Sequence, residues 1–136
     1  MSEEQLAITR ETVRLIDAGE LDGMRVYLHP DIALWAPRGW PEPGPMEGPD
    51  AVVRQYERLN ADYAERRTEV LELTDHVTDS GEWVLGGLVW HTRGRASGIE
   101  TAAEMWFTNH FRDGKIVEIR FFWSRDEAVA AAGIEG

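Results

Sequence analysis

The 136-residue chain contains no cysteine and has a shortage of positive charge. The absence of cysteine excludes disulfides, thiolate metal ligands and cysteine nucleophiles, and it permits a reducing compartment. Lys and Arg total 14 against 25 Asp and Glu, giving a net charge of −11, so the surface field would repel a phosphate backbone. We therefore expect no nucleic-acid partner.

Long apolar runs and metal-binding motifs are also missing. No segment approaches the roughly 20 apolar residues that span a bilayer, and residues 1–4 are acidic where a signal peptide is basic. The four histidines show no metal-ligand spacing. We expect a cytoplasmic protein with no membrane contact, no metal and no cofactor.

What the chain does have is tryptophan. Its 136 residues are of single-domain length, so one domain over 1–136 is expected, and 43% of them are hydrophobic. Six tryptophans are many for a domain of this size. They indicate a large core or a cavity lined by aromatic side chains.

Helical periodicity dominates the first half of the chain. Apolar residues recur at helical spacing from Leu6 to Ile16, which predicts a first helix. A second, shorter helix is predicted over 21–28, because Pro30 bars its continuation. A third is predicted from Pro49, a proline at the tolerated first helical position.

The segment between the second and third helices lacks helical periodicity. Residues 31–37 are predicted to form a brief buried strand. Five of the six prolines then fall within 37–49, interleaved with glycines, which predicts a stiff, extended loop. Its length exceeds that of an ordinary connection and favours a lid. Trp40, inside this loop, is predicted to be part of that lid over an aromatic pocket.

After residue 67 the apolar period changes from 3.6 towards 2, and turn signals divide the chain into sequential strands. Strands are predicted over 68–78, 82–92, 99–111 and 115–124, followed by a short helix over 125–132. Helices followed by an antiparallel meander predict an α+β fold. We expect a cone-shaped half-barrel, with three N-terminal helices packed on a strongly curved antiparallel sheet and a short C-terminal helix.

Four short stretches of sequence accompany this order of elements. They are His29-Pro30-Asp31, Gly39-Trp40-Pro41-Glu42-Pro43, Arg112-Asp113-Gly114-Lys115-Ile116-Val117 and Arg125-Asp126-Glu127-Ala128. With the order of elements, they resemble the nuclear-transport-factor-2-like superfamily and, within it, the SnoaL-like proteins. The resemblance implies a cone with a deep, mostly apolar pocket, often in a homodimer. It leaves the function open, because this fold hosts isomerases, epoxide hydrolases, polyketide cyclases and binding modules.

The resemblance also implies where catalytic groups would lie. Enzymes of this superfamily use polar residues on the short strand before the loop, and here those positions fall on Leu34 and Ala36. An aspartate used on the last strand falls on Phe121, and the Arg-x-Asp of the epoxide hydrolases falls near 85–87, where neither acid nor base occurs. The familiar catalytic acids are therefore replaced by apolar residues.

Strand parity decides which side chains line the pocket, because a one-residue slip exchanges the two faces of a strand. One parity places inward Met105, Phe107, Asn109, Ile119, Phe121 and Trp123, with His91 on the strand before them. The other parity places inward Glu104, Trp106, His110, Glu118 and Arg120. Charges in a small cavity would need pairing, so we prefer the first parity.

Two polar residues are predicted to carry chemistry. His91 is the candidate acid or base, since imidazole titrates near neutrality, and Asn109 is a candidate donor to a substrate carbonyl. The competing interpretations are a strand-end histidine satisfied by solvent and an asparagine that serves the backbone. The predicted ligand contacts are Tyr27, Leu34, Trp35, Trp40, Tyr56, Met105, Phe107, Ile119, Phe121 and Trp123.

These patterns predict that the protein binds a small apolar molecule in an aromatic-lined pocket. Cofactor-free isomerase, cyclase or hydrolase chemistry is one outcome. The alternative is a non-catalytic ligand-binding or partner-subunit domain that lacks the usual acids. Trp90, Trp106 and Phe122 are predicted on the outer sheet face, where an apolar patch normally marks an interface, so a homodimer through that face is expected.

Overall fold

The computed structural model describes residues 2–134, which form helices at both ends of the chain and one sheet. The elements are α1 (Ser2–Ala18), a 3-10 helix (Leu21–Tyr27), β1 (Leu28–Trp35), β2 (Met46–Glu47), α2 (Pro49–Ala61), β3 (Tyr63–Thr78), β4 (Gly81–Gly94), β5 (Glu100–Arg112), β6 (Lys115–Phe122) and α3 (Arg125–Ala132). Within the described range, every helix is too short or too polar to cross a lipid bilayer.

The strands form a single mixed sheet in the order β2-β1-β6-β5-β4-β3. Strands β3 to β6 make the predicted antiparallel meander, while β1 joins β6 in parallel and β2 pairs with β1. Asp113 and Gly114, with φ of 55° and 76°, form the two-residue turn between β5 and β6. Positive φ at both positions matches the right-handed twist of a tight hairpin, which explains the Asp-Gly pair.

One face of the sheet, which we call the inner face, packs against the N-terminal helices. Val84, Phe111 and Ile119 of this face form a buried cluster with Met24 of the 3-10 helix and Val53 of α2. Burying an aliphatic side chain of this kind stabilises the fold by about 1.5–3 kcal/mol. The helices are thus held against the concave side of the sheet, where a cavity can form between the two layers.

The opposite or outer face of the sheet is partly covered by α3. Trp83, Leu85 and Trp106 form a second buried cluster with Ala128 and Ala132 of that helix. The helix keeps its predicted bounds because each end carries a cap. The Ser124 side chain accepts a hydrogen bond from the Glu127 N–H, and Gly133 ends the helix in the left-handed conformation.

Two neighbouring glycines, Gly86 and Gly87, let aromatic side chains approach the middle of β4 from both faces. A Cβ on Gly86 would lie under 3.0 Å from the Phe107 ring, and one on Gly87 would lie under 3.0 Å from the Trp106 ring. A register shift of the sheet lies opposite these glycines, on β3 between Val70 and Glu72, and Glu72 pairs with Gly87. The glycines therefore make room for rings.

Several elements differ from the sequence prediction. Strand β1 spans Leu28–Trp35 where a strand over 31–37 was predicted, and β6 ends at Phe122 where residue 124 was predicted. The second helix is a 3-10 helix, and β3 begins at Tyr63 where the prediction placed it at residue 68. Residues 63–67 belong to the sheet because they pair with the far end of β4, Tyr63 with Gly94 and Arg67 with His91. This extension places Arg66 on a strand, beside the chamber described next.

Candidate functional site

A chamber of three neighbouring cavities lies between the helices and the inner face. The inner cavity measures about 30 Å³, the side cavity about 20 Å³ and the rim cavity, which includes exposed residues of β5, about 100 Å³. The Trp90 side chain lines all three. A single water needs roughly 10–15 Å³, so a larger ligand requires the dividing side chains to move apart and join the cavities.

The walls of the chamber are mainly apolar. Phe107 and Ile119 line the inner cavity, Leu34 and Met105 line the side cavity, and Phe121 lies between these two. Phe121 also contacts the rings of Phe107 and Trp90, with centroids 6.0 and 5.9 Å apart. Tilted ring pairs at this separation attract one another beyond their buried area.

Two neutral polar groups line the inner cavity. Tyr56 of α2 is 3% exposed, and burial raises the pKa of its hydroxyl, so this hydroxyl stays protonated and can donate a hydrogen bond. Asn109 of β5 is also 3% exposed and donates from Nδ2 to Thr9 Oγ1 at 3.3 Å. The Asn109 Oδ1 atom is buried and has no hydrogen-bond partner.

One charged residue, Arg66, lines both the inner cavity and the rim cavity. Its side chain is 9% exposed, and burial lowers its pKa. Nη1 donates to Asn60 Oδ1, while Nε lies 3.7 Å from Asp17 Oδ1 and makes no hydrogen bond. The guanidinium carbon lies 5.0 Å from the Trp90 ring centroid, within range of a cation–π interaction.

The rim of the chamber is formed by two tryptophans, one from the proline-rich loop and one from the end of the sheet. The Trp40 and Trp123 ring centroids lie 6.3 Å apart. Trp123 Nε1 donates to the Arg38 carbonyl at 2.9 Å, and Arg38 Nε lies 2.7 Å from Glu127 Oε1 on α3. These contacts fasten the loop over the rim. The lid role of residues 37–49 stays a prediction.

Most of the predicted ligand contacts lie around this chamber, and their role in binding stays a prediction. The residues that line it are Leu34, Trp40, Tyr56, Met105, Phe107, Ile119, Phe121 and Trp123, together with the predicted catalytic Asn109. Leu34, Ala36 and Phe121, the positions where the resemblance implied catalytic groups, all line it. The chain therefore presents apolar side chains at these places.

Two predicted contacts lie elsewhere. Tyr27 packs against the buried cluster of the helices. Trp35 lies on the outer face, where the Arg120 guanidinium carbon is 5.0 Å from its ring centroid. Leu34 pairs with Ile119 on the inner face, so the next residue along β1 points to the other side.

The predicted faces of β4 are wrong. Trp90, expected on the outer face, lines the chamber, and His91, expected inside, lies on the opposite face with Nε2 3.0 Å from Glu69 Oε1. The β4–β5 loop explains the error. Arg93 pairs with Glu100, which leaves an even number of residues in between, so odd residues of β4 share a face with even residues of β5.

Sequence reasoning missed Arg66 and the inward Trp90. Arg66 and Thr68 share one face of β3, but this relation appears only once the strand is extended to Tyr63 by its pairing with β4. Thr68 lines the inner cavity, and it holds Asp17 by donating from its N–H at 2.9 Å and its hydroxyl at 2.6 Å. The parity of the β4–β5 loop would have identified Trp90.

The charged side chains preferred outside do lie on the outer face. His110 stacks on Trp83 with centroids 4.1 Å apart, and Glu104 accepts a hydrogen bond from Trp106 Nε1. Arg120 Nε lies 3.0 Å from Glu118 Oε1. Because α3 covers part of the apolar patch on this face, the patch is less open than the sequence indicated. The homodimer stays a prediction.

A curved sheet wrapped on N-terminal helices around an apolar chamber defines a cone of the nuclear-transport-factor-2-like class. The sequence matches the model of the SnoaL-like domain over residues 9–119, and the chain belongs to this family. A search of curated protein sequences finds no match. Among the described residues, no group of three or more His, Cys, Asp or Glu side chains is placed to hold a metal ion.

Solved structures share the fold at low sequence identity. A Mycobacterium tuberculosis protein in complex with estradiol-17beta-hemisuccinate is 20% identical with a TM-score of 0.74, over 93% of this chain and 97% of that one. A Δ5-3-ketosteroid isomerase from Mycobacterium sp. is 21% identical (TM-score 0.72; 93% and 96%). A putative polyketide cyclase from Xanthomonas campestris is 18% identical (TM-score 0.71; 95% and 96%).

Proposed function

We propose that this protein binds a small hydrophobic organic molecule inside the chamber. The observation that carries the proposal is the composition of the chamber walls, which are aromatic and aliphatic with a few buried polar groups facing the cavities. Ligand sites in proteins typically combine such walls with a few polar groups that fix orientation. The steroid ester held by the Mycobacterium tuberculosis protein of the same fold supports a hydrophobic ligand.

The polar groups of the chamber favour a ligand-binding domain over an acid–base enzyme. Tyr56 and Arg66 can donate hydrogen bonds or hold an anion, and the described lining offers no carboxylate or imidazole that would accept a proton. His91 and Asn109, the predicted catalytic pair, lie on opposite faces of the sheet, so one substrate in the chamber would not meet both.

The test uses two flat probes with the same apolar body, 2-naphthoate and its neutral counterpart 2-naphthamide, titrated by isothermal calorimetry. We expect saturable binding of at least one probe at a single site. Trp90→Phe is expected to weaken that binding by about threefold to tenfold, because it removes ring area from all three cavities.

Trp35→Phe is the matched control, since Trp35 is a half-buried tryptophan on the outer face. Its affinity for the same probe should equal that of the wild type. The proposal fails if neither probe binds the wild type, or if the two tryptophan variants weaken binding equally.

A further inference from the structure

We infer that the ligand of this chamber is an acid, an apolar ring compound whose carboxylate is held by Arg66. The inference rests on the proposed function and adds the chemical class of the ligand. It starts from the unusual burial of this arginine. Other arginines near a carboxylate, such as Arg14, Arg38 and Arg125, keep 36–75% of the side chain exposed, whereas Arg66 keeps 9%.

The buried guanidinium lacks a full set of partners. Its Nε proton finds no acceptor, although Asp17 Oδ1 lies 3.7 Å away. Both oxygens of Asp17 already accept hydrogen bonds from Thr68, which hold that carboxylate in place. Burying a charged donor without an acceptor costs free energy, so this arrangement gains most from a partner that comes from outside the chain.

The position of Arg66 decides where such a partner would lie. Arg66 lines the inner and rim cavities, and its guanidinium carbon lies 5.0 Å from the ring centroid of Trp90, which lines the side cavity as well. A guanidinium is a rigid planar fork that matches a carboxylate, and its hydrogen bonds to an anion are roughly twice as strong as neutral ones. A carboxylate beside Arg66 would leave the attached ring between Trp90, Phe121 and Met105.

The overall charge of the protein opposes the binding of an acid, so a preference for a carboxylate must have a local cause. A net charge of −11 repels anions in solution, so an acid would reach the chamber only against the long-range field. A neutral ligand would meet no such barrier, and it would leave the Arg66 charge without a counterion beyond Asp17. The preference for an acid must therefore come from Arg66 itself and should disappear with it.

The experiment compares 2-naphthoate with 2-naphthamide on folded variants, with folding checked by thermal melting. The wild type is expected to bind the naphthoate about tenfold more tightly than the amide. Arg66→Met should abolish this ratio while keeping the affinity for the amide. Arg67→Met is the matched control, because it removes the same charge from the neighbouring, exposed residue, and it should leave the ratio unchanged.

Equal affinity of the wild type for both probes would overturn the inference and leave the binding proposal standing, whereas no binding of either probe would overturn both. A ratio that persists in Arg66→Met, or that Arg67→Met also abolishes, would overturn the inference as well. If Arg66→Met does not fold, the ratio of the two affinities is measured in Arg66→Lys. This variant keeps the charge without the fork, so the ratio should fall severalfold, and an unchanged ratio contradicts a bidentate carboxylate site.

Discussion

The two faces of the sheet carry aromatic rings in similar number, but they differ in how the polar atoms of their buried side chains are hydrogen-bonded. On the outer face, Trp83 Nε1 donates to Thr78 and Ser80 hydroxyls at 3.0 and 3.1 Å, and Trp106 Nε1 donates to Glu104 at 2.8 Å. On the inner face, Asn109 Oδ1 and Arg66 Nε are buried without a hydrogen bond. Among the described residues, one more buried side-chain atom has no hydrogen bond, Arg93 Nε, and it lies on the outer face at the far end of β4, away from the cluster beneath α3.

This difference separates a structural surface from a ligand surface. Buried polar atoms in folded proteins are nearly always paired, and each exception calls for a physical reason. On the outer face, α3 closes over Trp106 and Leu85 and completes a dry cluster. On the inner face, the helices stop short of filling the space and leave the chamber. We infer that the unpaired atoms there await a ligand.

The largest effect that we expect is a loss of stability on the outer face, where the buried cluster is structural. Trp106→Ala should lower the free energy of unfolding by about 3–5 kcal/mol, because it empties the cluster beneath α3. Urea denaturation measures this loss. Affinity for 2-naphthoate should stay within about twofold of the wild type, since Trp106 does not line any of the three cavities of the chamber.

Trp90→Ala is the counterpart on the inner face. Trp90 is half-buried and already borders empty space, so its removal should destabilise the protein less than Trp106→Ala while weakening probe binding more. If Trp106→Ala weakens binding as much as Trp90→Ala does, the two faces are not separate in function.

Two glycine substitutions test the same comparison between the faces, and we expect each to lower the stability by about half as much as Trp106→Ala. Gly86→Ala and Gly87→Ala each place a Cβ against a ring, Phe107 on the inner face and Trp106 on the outer face. Overpacking of this kind costs about 1–3 kcal/mol, which thermal melting should show for both variants. Only Gly86→Ala should weaken 2-naphthoate binding, because only Phe107 is pushed into the inner cavity. Equal weakening by both would contradict the assignment of the faces.

Much of the fold could be predicted from local sequence signals. Proline at 49, Ser124 with Gly133, and Asp113-Gly114 each fix a backbone conformation within a few residues, so the bounds of α3 and the position of the last turn were correct. The start of β3 could not be found in this way. Residues 63–67 contain no alternation strong enough to mark a strand, and their conformation is imposed by pairing with β4.

The candidate site was predictable only in part. Ile119, Phe121, Phe107 and Asn109 lie on the face that the prediction gave them, because the register shift between His110 and Phe111 makes the paired residues beyond it share parity. Strands β4 and β5 pair without such a shift, so odd residues of β4 face the same side as even residues of β5, and Trp90 and His91 exchanged faces. This one error of parity propagated into the catalytic prediction for His91.

The smallest expected effect concerns how α3 is held on the outer face. Glu72 of β3 accepts hydrogen bonds from Arg125 Nε and Nη2 at 2.9 and 3.1 Å, and this contact holds the pKa of the Glu72 carboxyl below its usual 4.5. A lowered pKa means that the stabilisation is complete above the unfolded value and is lost as the pH falls through the folded value. Both groups are partly exposed, so Glu72→Gln should cost only about 0.2–1 kcal/mol at pH 7. Urea midpoints should converge with those of the wild type below pH 4 and in high salt, whereas Glu57→Gln, at an exposed position of α2, should show no such trend.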